Sequence, residues 1–202
     1  MSFFDPEPRP APPPEPDYRP PAWSQPPDNV MPSAVALDAL IVSGDGVAAW
    51  VAAAVVYPTG VLFELMIVRR DRSAPGEVHR PFFLGPGDVH GPRFGVGFAD
   101  GRKATVGGPP RPPGARDIVL SPQGGGGSDR RWSGRMWLWP LPAPGPMTIA
   151  FMWEEQGIAE TTIEVDTAAV LAAVGRAREL WADDRPDRPE PGSIGGGWTP
   201  YG

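Results

Sequence analysis

The sequence predicts a mostly β fold: an antiparallel β-sandwich, immunoglobulin-like in architecture, with one C-terminal α-helix. Short apolar segments with period-two alternation recur between residues 34 and 165, as expected for strands with one buried face. Turn signals rich in proline and glycine separate these segments. The 30 prolines and 26 glycines among 202 residues are concentrated in those turns and at the two ends of the chain. Many short strands joined by such turns are typical of sandwiches.

The first three strands are predicted between residues 34 and 70. In residues 34–43, every second residue from Val35 to Ile41 is apolar and would lie on one face of a strand, whereas residues 47–57 are apolar on both faces. The recurring valines of the second segment favour a strand over a helix. Pro58-Thr59-Gly60 then leads into residues 61–70, so these two strands are predicted to form a hairpin. The same turn interrupts the apolar run, which argues against a membrane helix.

The middle of the chain predicts a second hairpin and a flexible tip. Residues 93–99 and 102–106 flank Asp100-Gly101, a strong two-residue hairpin signal. The alternating glycines of the first strand leave room for a neighbouring aromatic ring. After a brief strand at residues 118–120, the four consecutive glycines of residues 124–127 are predicted to form a flexible tip.

Three strands and a helix are predicted at the C-terminal end of the domain. The strand at residues 132–139 places Trp137 and Trp139 on one face. Residues 147–153 and 159–165 are the next two strands. A terminal helix is predicted over residues 167–181, because apolar side chains recur there at helical spacing and Asp166 or Thr167 can cap it.

This pattern divides the chain into an arm, a domain and a tail. Residues 1–33 are predicted to be a disordered, proline-rich arm, because they offer few apolar groups to offset the entropy of ordering. Residues 34–182 form the sandwich with its terminal helix, and residues 183–202 are a disordered tail rich in proline and glycine. Trp23 has two interpretations: it docks on a partner, or it packs against the edge of the domain.

Composition excludes several functional classes. The chain has no cysteine, which rules out disulfides, thiolate metal sites and cysteine nucleophiles. Its net charge of −6 argues against nucleic-acid binding, which needs a basic surface. Residues 1–6 lack a basic region followed by an apolar run, so no signal peptide is expected. We therefore expect a cytoplasmic protein without membrane contact.

No catalytic, cofactor or metal site is predicted. His79 and His90 are the only histidines, and neither metal binding nor a Ser-His-Asp triad has the further groups it needs. The glycines of residues 124–127 lack the helix and lysine of a phosphate-binding loop. Glu160 and Glu164 occupy alternate positions of a predicted strand, as expected for its solvent-exposed face. A glycosidase would need two carboxylates that flank a cleft. We therefore predict that the protein is not an enzyme.

Several stretches of the sequence form a distinctive combination: residues 93–104, the glycine run with the arginines and Trp132 that follow it, residues 137–142, Gly145-Pro146 leading into Trp153, and Gly157-Ile158 with Glu160. In these stretches the chain resembles a family of actinobacterial proteins that have no assigned activity. The resemblance covers about residues 28 to 182. It implies a short proline-rich start and a β domain, and it supplies no catalytic residue.

One cluster predicts an interaction surface, consisting of Arg131, Trp132, Arg135 and Trp137. Arginine and tryptophan are enriched at the energetic centres of protein interfaces. The alternative is that the tryptophans belong to the core and the arginines solvate the strand. The predicted function is a non-enzymatic protein-interaction or adaptor module with a protein partner. The alternatives are a domain that binds a small molecule or a carbohydrate in a pocket between the sheets, and an enzyme of unfamiliar design. A flat apolar patch with arginine and tryptophan at its centre favours the first function, and a deep pocket lined by two or more converging charged residues favours either alternative.

Overall fold

The computed structural model describes residues 17–44, 46–70, 91–107, 112–128 and 130–187. These ranges contain eleven strands, one α-helix and one 3₁₀ turn, Glu154–Gln156. The strands are β1 (Val30–Met31), β2 (Ser33–Ser43), β3 (Val47–Val56), β4 (Val61–Arg69), β5 (Arg93–Gly97), β6 (Lys103–Thr105), β7 (Val119–Ser128), β8 (Arg131–Trp139), β9 (Pro146–Trp153), β10 (Ile158–Asp166) and β11 (Arg178–Glu179). The helix is α1 (Ala168–Val174).

Two antiparallel sheets form the body of the fold. The larger has five strands in the order β2-β3-β4-β8-β7, and the smaller has four in the order β10-β9-β5-β6. Both predicted hairpins are present. The amide of Tyr57 donates to the carbonyl of Gly60 at 2.9 Å in the first, and the amide of Phe98 donates to the carbonyl of Arg102 at 2.8 Å in the second. The predicted mostly β fold with antiparallel sheets is therefore confirmed.

The core lies between the two sheets and takes side chains from the inner face of each. Phe63, Leu65 and Met136 from the five-stranded sheet are fully buried, as are Phe94 and Phe151 from the four-stranded sheet. They belong to one continuous apolar cluster. Burying each of these side chains stabilises the fold by about 1.5–3 kcal/mol. Phe63 and Leu65 share one face of β4, as period-two alternation predicts.

The apolar run at residues 47–68 forms strands β3 and β4 and the turn between them. Strand β3 is a central strand of its sheet, and its inner side chains Val47, Ala49 and Val51 are buried. Within the described ranges, no helix has the length and apolar character that crossing a bilayer requires. The interpretation of this run as two strands is confirmed.

The terminal helix is shorter than the predicted span of residues 167–181. Helix α1 ends at Val174, and Val170 and Ala173 are its buried residues. Glycine follows at position 175 and disfavours continuation of the helix. Residues 178–179 instead form β11, which pairs with β1 to make a small two-stranded sheet. Pairing with a distant strand therefore overrides the helical spacing of Ala177 and Trp181.

The glycine run at residues 124–127, predicted to be a flexible tip, is part of strand β7. Its residues pair with β8: Gly125 lies opposite Gly134, and Gly127 lies opposite Trp132. A register shift between Pro122 and Gly125 introduces a bulge into the strand. Glycine has a low strand preference by itself. A Cβ atom at Gly125 would lie 2.7 Å from the Trp132 ring, and one at Gly127 would collide with the Arg131 backbone, whereas Gly126 has open space around it.

The structural unit of residues 20–182 begins before residue 34, the predicted start of the domain. The segment 20–27, placed by sequence in a disordered arm, contains a turn in which the amide of Ser24 donates to the carbonyl of Pro21 at 2.9 Å. The segment also makes specific contacts with strands β7 and β8. Residues 1–16 and 188–202, the remainder of the predicted arm and tail, lie outside the described residues.

The described part of a second unit consists of residues 17–19 and 183–187. The amide of Arg19 donates to the carbonyl of Pro186 at 2.8 Å, and Arg19 forms a parallel bridge with Asp187. Hydrogen bonds from Arg185 hold the pKa of Asp183 at about 2. The contacts of Arg19 join it to residues 186 and 187 within this unit.

Candidate functional site

The four residues of the predicted interaction surface lie on β8 but do not share one face. Trp132 points into the core, together with Met136 and Leu138, whereas Arg131, Arg135 and Trp137 point outward. Both tryptophans are buried, at 9% exposure for Trp132 and 0% for Trp137. The structure therefore does not combine the four side chains into a single exposed surface. Only the two arginines are accessible.

The ring of Trp132 is accommodated by two glycines. A Cβ atom added at Gly134 would collide with the Trp132 ring, and one added at Gly125 would lie 2.7 Å from its Cζ2 atom. Gly134 precedes Met136 on the inner face, and Gly125 is its partner across the β7–β8 ladder. The strand glycines expected to admit an aromatic ring were Gly95 and Gly97, but their nearest neighbours are not aromatic.

Trp137 is buried on the outer face because the chain's own segment 20–27 covers it. Its Nε1 donates to the carbonyl of Ala22 at 3.0 Å. The ring meets Tyr57 edge-on, with centroids 5.6 Å apart and an interplanar angle of 84°. Burial raises the pKa of Tyr57, and the positive charge of Arg135 opposes that rise. A Cβ atom at Gly60 would lie 2.7 Å from the Trp137 ring, so the adjacent turn also requires glycine.

The exposed part of this outer face contains a row of large apolar side chains that the sequence reasoning did not select. Leu40 of β2 lies opposite Trp50 of β3, and Trp50 lies opposite Met66 of β4. Ser133 of β8 completes the row. Paired positions in an antiparallel ladder point to the same face. We call Leu40, Trp50 and Met66 the outer apolar row.

Leu40 is the most accessible member of the row, with 55% of its surface exposed, while Trp50 and Met66 are partly exposed. The neighbouring row is mixed: Glu64 lies opposite Arg135 on β8. The signal that could have found this surface was present, because residues 47–57 are apolar on both faces. A cluster of apolar residues on an exposed face, unlike a single one, marks a candidate interaction site.

A second candidate site is a cleft beside the sandwich. It lies between the edge strands β6 and β7, is closed on one side by Trp23 and Ser24, and has a volume of about 760 Å³. Residues 113–118, between the two strands, provide another wall. The cleft thus combines residues 23–24 with two segments much later in the chain, residues 102–107 and 113–122. Trp23 is half-buried against the domain, which favours the second of its two interpretations.

Three basic side chains and one acidic side chain line the cleft: Arg102, Lys103, Arg116 and Asp117. The Arg102 Nε atom donates to Asp100 Oδ2 at 2.7 Å, and its guanidinium lies 5.0 Å from the centre of the Phe98 ring. Hydrogen bonds from the backbone amide and the side chain of Arg102 lower the pKa of Asp100. Asp117 accepts a hydrogen bond from the amide of Gly114 at 2.9 Å.

The described ranges contain no cluster of three or more acidic, histidine or cysteine side chains suited to a metal ion. His79 and His90, weighed as metal ligands or as members of a triad, lie outside the described residues. Glu160 and Glu164 are exposed on β10, in keeping with the solvated face that their alternation predicts.

Comparison of this chain with protein-family models, curated proteins and solved structures finds no match. The interpretation of the two surfaces therefore depends on their geometry and chemistry.

Proposed function

We propose that this protein is a non-enzymatic protein-interaction module that binds its partner through the outer apolar row. The observation that carries the proposal is the 55% exposure of Leu40 beside Trp50 and Met66 on one sheet face. Apolar residues that cluster on an exposed face mark interaction sites more often than residues scattered singly. The partner expected here is a protein that presents its own apolar patch.

The edge of the sheet supports docking on the face rather than addition of a strand. Edge strand β2 has register shifts between Ala36 and Ala39 and between Leu40 and Val42. Asp38, between them, has a positive φ of 46°. Bulges interrupt the row of free hydrogen-bonding groups that an added strand would use. A partner is therefore expected to contact side chains rather than extend the sheet.

The charged residues beside the row give the surface a polar rim. Glu64 lies opposite Arg135 in the row on one side of the outer apolar row. Val68 lies opposite Arg131 in the row on its other side. An apolar centre with a polar rim is the usual composition of a protein interface. Arg131 and Arg135, two of the residues selected from the sequence, would then lie at the rim, whereas Trp132 is buried in the core and Trp137 is buried beneath segment 20–27.

The test compares two substitutions at leucines of nearly equal exposure. Leu40→Lys places a charge in the apolar row, whereas Leu180→Lys changes a leucine that is 52% exposed elsewhere. Immobilised full-length wild-type protein and each variant are incubated with lysate of the source cells, and the retained proteins are identified by mass spectrometry. We expect a partner that wild type and L180K retain and that L40K loses. Retention by all three, or no retained protein, contradicts the proposal.

We propose that this interaction takes place in the cytoplasm. Disulfides are rare there, so a domain without cysteine is at no disadvantage in stability. The net charge of −6 supports a protein partner rather than nucleic acid.

A second candidate function, binding of a small molecule, is favoured by the cleft between β6 and β7. Its volume of about 760 Å³ falls within the range of about 300–1,000 Å³ that is usual for ligand pockets. The sequence predicted such a pocket between the sheets, but fully buried side chains such as Phe63 and Phe151 lie there. The site favoured by the structure is at the flank of the sandwich.

A further inference from the structure

We propose that the cleft between β6 and β7 binds a small organic anion, a molecule that carries a phosphate or carboxylate group on a body of about nucleotide size. This inference rests on the second candidate function, small-molecule binding, and is independent of docking at the outer apolar row. It adds the chemical class of the ligand, which we derive from the charges, walls and dimensions of the cleft.

The cleft has a wall that long-range hydrogen bonds hold in place. The Gln123 side chain on β7 donates through Nε2 to the carbonyl of Ser24 at 2.8 Å. Trp137 of the neighbouring strand donates to the carbonyl of Ala22 at 3.0 Å. These two bonds fix the backbone on both sides of Trp23. The Trp23 side chain is therefore a preorganised wall of the cleft, and preorganisation lowers the entropic cost of binding.

The charge of the cleft is opposite in sign to that of the chain. Arg102 is paired with Asp100, but the side chains of Lys103 and Arg116 have no ion-pair partner among the described residues. Among the described residues that line the cleft, Asp117 is the single acidic group. The chain as a whole has a net charge of −6. A local excess of positive charge in such a protein attracts an anion to this site in particular.

The dimensions and the other lining groups indicate a small molecule rather than a polymer. The lining is partly apolar, with Ile118 and Leu120 beside Trp23, and hydroxyl groups come from Thr105 and Ser121. A predominantly apolar pocket with a few directional polar groups is typical of small-molecule sites. An acidic chain with two unpaired cations in one cleft offers no extended basic track for a nucleic acid.

Binding of adenosine 5′-monophosphate, adenosine and inorganic phosphate to the full-length protein tests this inference by isothermal titration calorimetry at low ionic strength. We expect the nucleotide to bind at least about tenfold more tightly than adenosine, because its phosphate can accept charge-assisted hydrogen bonds, which are strong. A tenfold difference in affinity requires only a modest difference in binding free energy. Its affinity should fall as salt is added, since exposed charges are screened.

Two double variants provide matched controls, because each removes two positive charges. Lys103→Gln with Arg116→Gln changes the cleft, whereas Arg131→Gln with Arg178→Gln changes exposed arginines elsewhere. We expect the first pair to weaken nucleotide binding about tenfold or more. The second pair and L40K should leave the affinity within about twofold, so this test is separate from that of partner docking.

The outcomes distinguish the ligand class from the underlying function. If adenosine binds as tightly as the nucleotide and Trp23→Ala weakens both equally, the cleft binds small molecules but not anions in particular, and the inference is wrong. If none of the three probes binds at millimolar concentration, both the inference and the second candidate function are contradicted. Equal loss of affinity in the two double variants would show that overall charge, and not the cleft, attracts the anion.

Discussion

On strand β8, two tryptophans are buried by different means. Trp132 is an inner-face residue whose ring lies over Gly134 and reaches Gly125 on the next strand. Trp137 is an outer-face residue covered by the Ala22 carbonyl and the edge of the Tyr57 ring. In each case a glycine provides the space, because no other residue lacks a Cβ atom. At the scale of single residues, the glycines of this region are therefore part of the core packing.

We predict that Gly134→Ala destabilises the protein by about 1–3 kcal/mol, because overpacking forces side chains in a dense core to move. The added methyl group would overlap the Trp132 ring, which is enclosed between the two sheets. Equilibrium unfolding in urea, followed by tryptophan fluorescence, measures the change in the free energy of unfolding.

The matched control for this prediction is Gly126→Ala on strand β7. No atom lies within 4 Å of a Cβ atom added there. The substitution should leave stability unchanged or raise it by about 0.4–1 kcal/mol through the unfolded state. Equal destabilisation by the two substitutions would show that the strand conformation, and not the Trp132 ring, requires glycine at position 134.

At the scale of elements, the start of helix α1 is joined to the loop before β9 by Thr167, which is 1% exposed. Its Oγ1 atom accepts a hydrogen bond from the amide of Gly145 at 3.2 Å, and it lies 3.1 Å from the carbonyl of Ala143 and 2.9 Å from that of Gly145. Thr167 makes no side-chain cap to the helix itself. Instead, Asp166 Oδ1 accepts from the amide of Ala168 at 2.9 Å.

We predict that Thr167→Val destabilises the protein by about 1–3 kcal/mol, because it keeps the shape of the side chain but leaves buried polar groups without a partner. Thr162→Val on β10 is the control, since Thr162 is exposed and its replacement should change stability by no more than about 0.5 kcal/mol. Chemical unfolding of both variants provides the comparison. Similar stability of the two variants would mean that the loop and the helix are held together by apolar contacts alone.

At the scale of the whole molecule, the segment 20–27 determines where the folded domain begins. It covers Trp137, accepts the side-chain hydrogen bond of Gln123 and supplies the Trp23 wall of the cleft. The unit that folds together accordingly spans residues 20–182. The proline-rich sequence of this segment gives no indication of these contacts, because each of them is made with a strand about a hundred residues away.

We predict that a fragment of residues 28–182 is less stable than one of residues 20–182 by about 1–3 kcal/mol. The shorter fragment removes the acceptor of Trp137 Nε1 and leaves a buried donor without its partner. Urea unfolding of the two fragments measures the difference, and the tryptophan emission of the folded 28–182 fragment should shift to longer wavelength as Trp137 meets water. Identical unfolding curves and emission spectra would contradict the assignment of this segment to the domain.

The sequence by itself determined both hairpins, most of the strands and which side chains share a face of each strand, because alternation, turn residues and side-chain size act over short distances along the chain. Only the tertiary structure decided that residues 124–127 pair with β8, that residues 178–179 leave the helix to pair with β1, and that Trp137 lies under segment 20–27. Both candidate surfaces belong to this second group, because the outer apolar row spans three strands and the cleft joins three separate segments. Local patterns report whether a residue is buried, but the identity of the atoms that bury it depends on long-range contacts, which a single sequence does not specify.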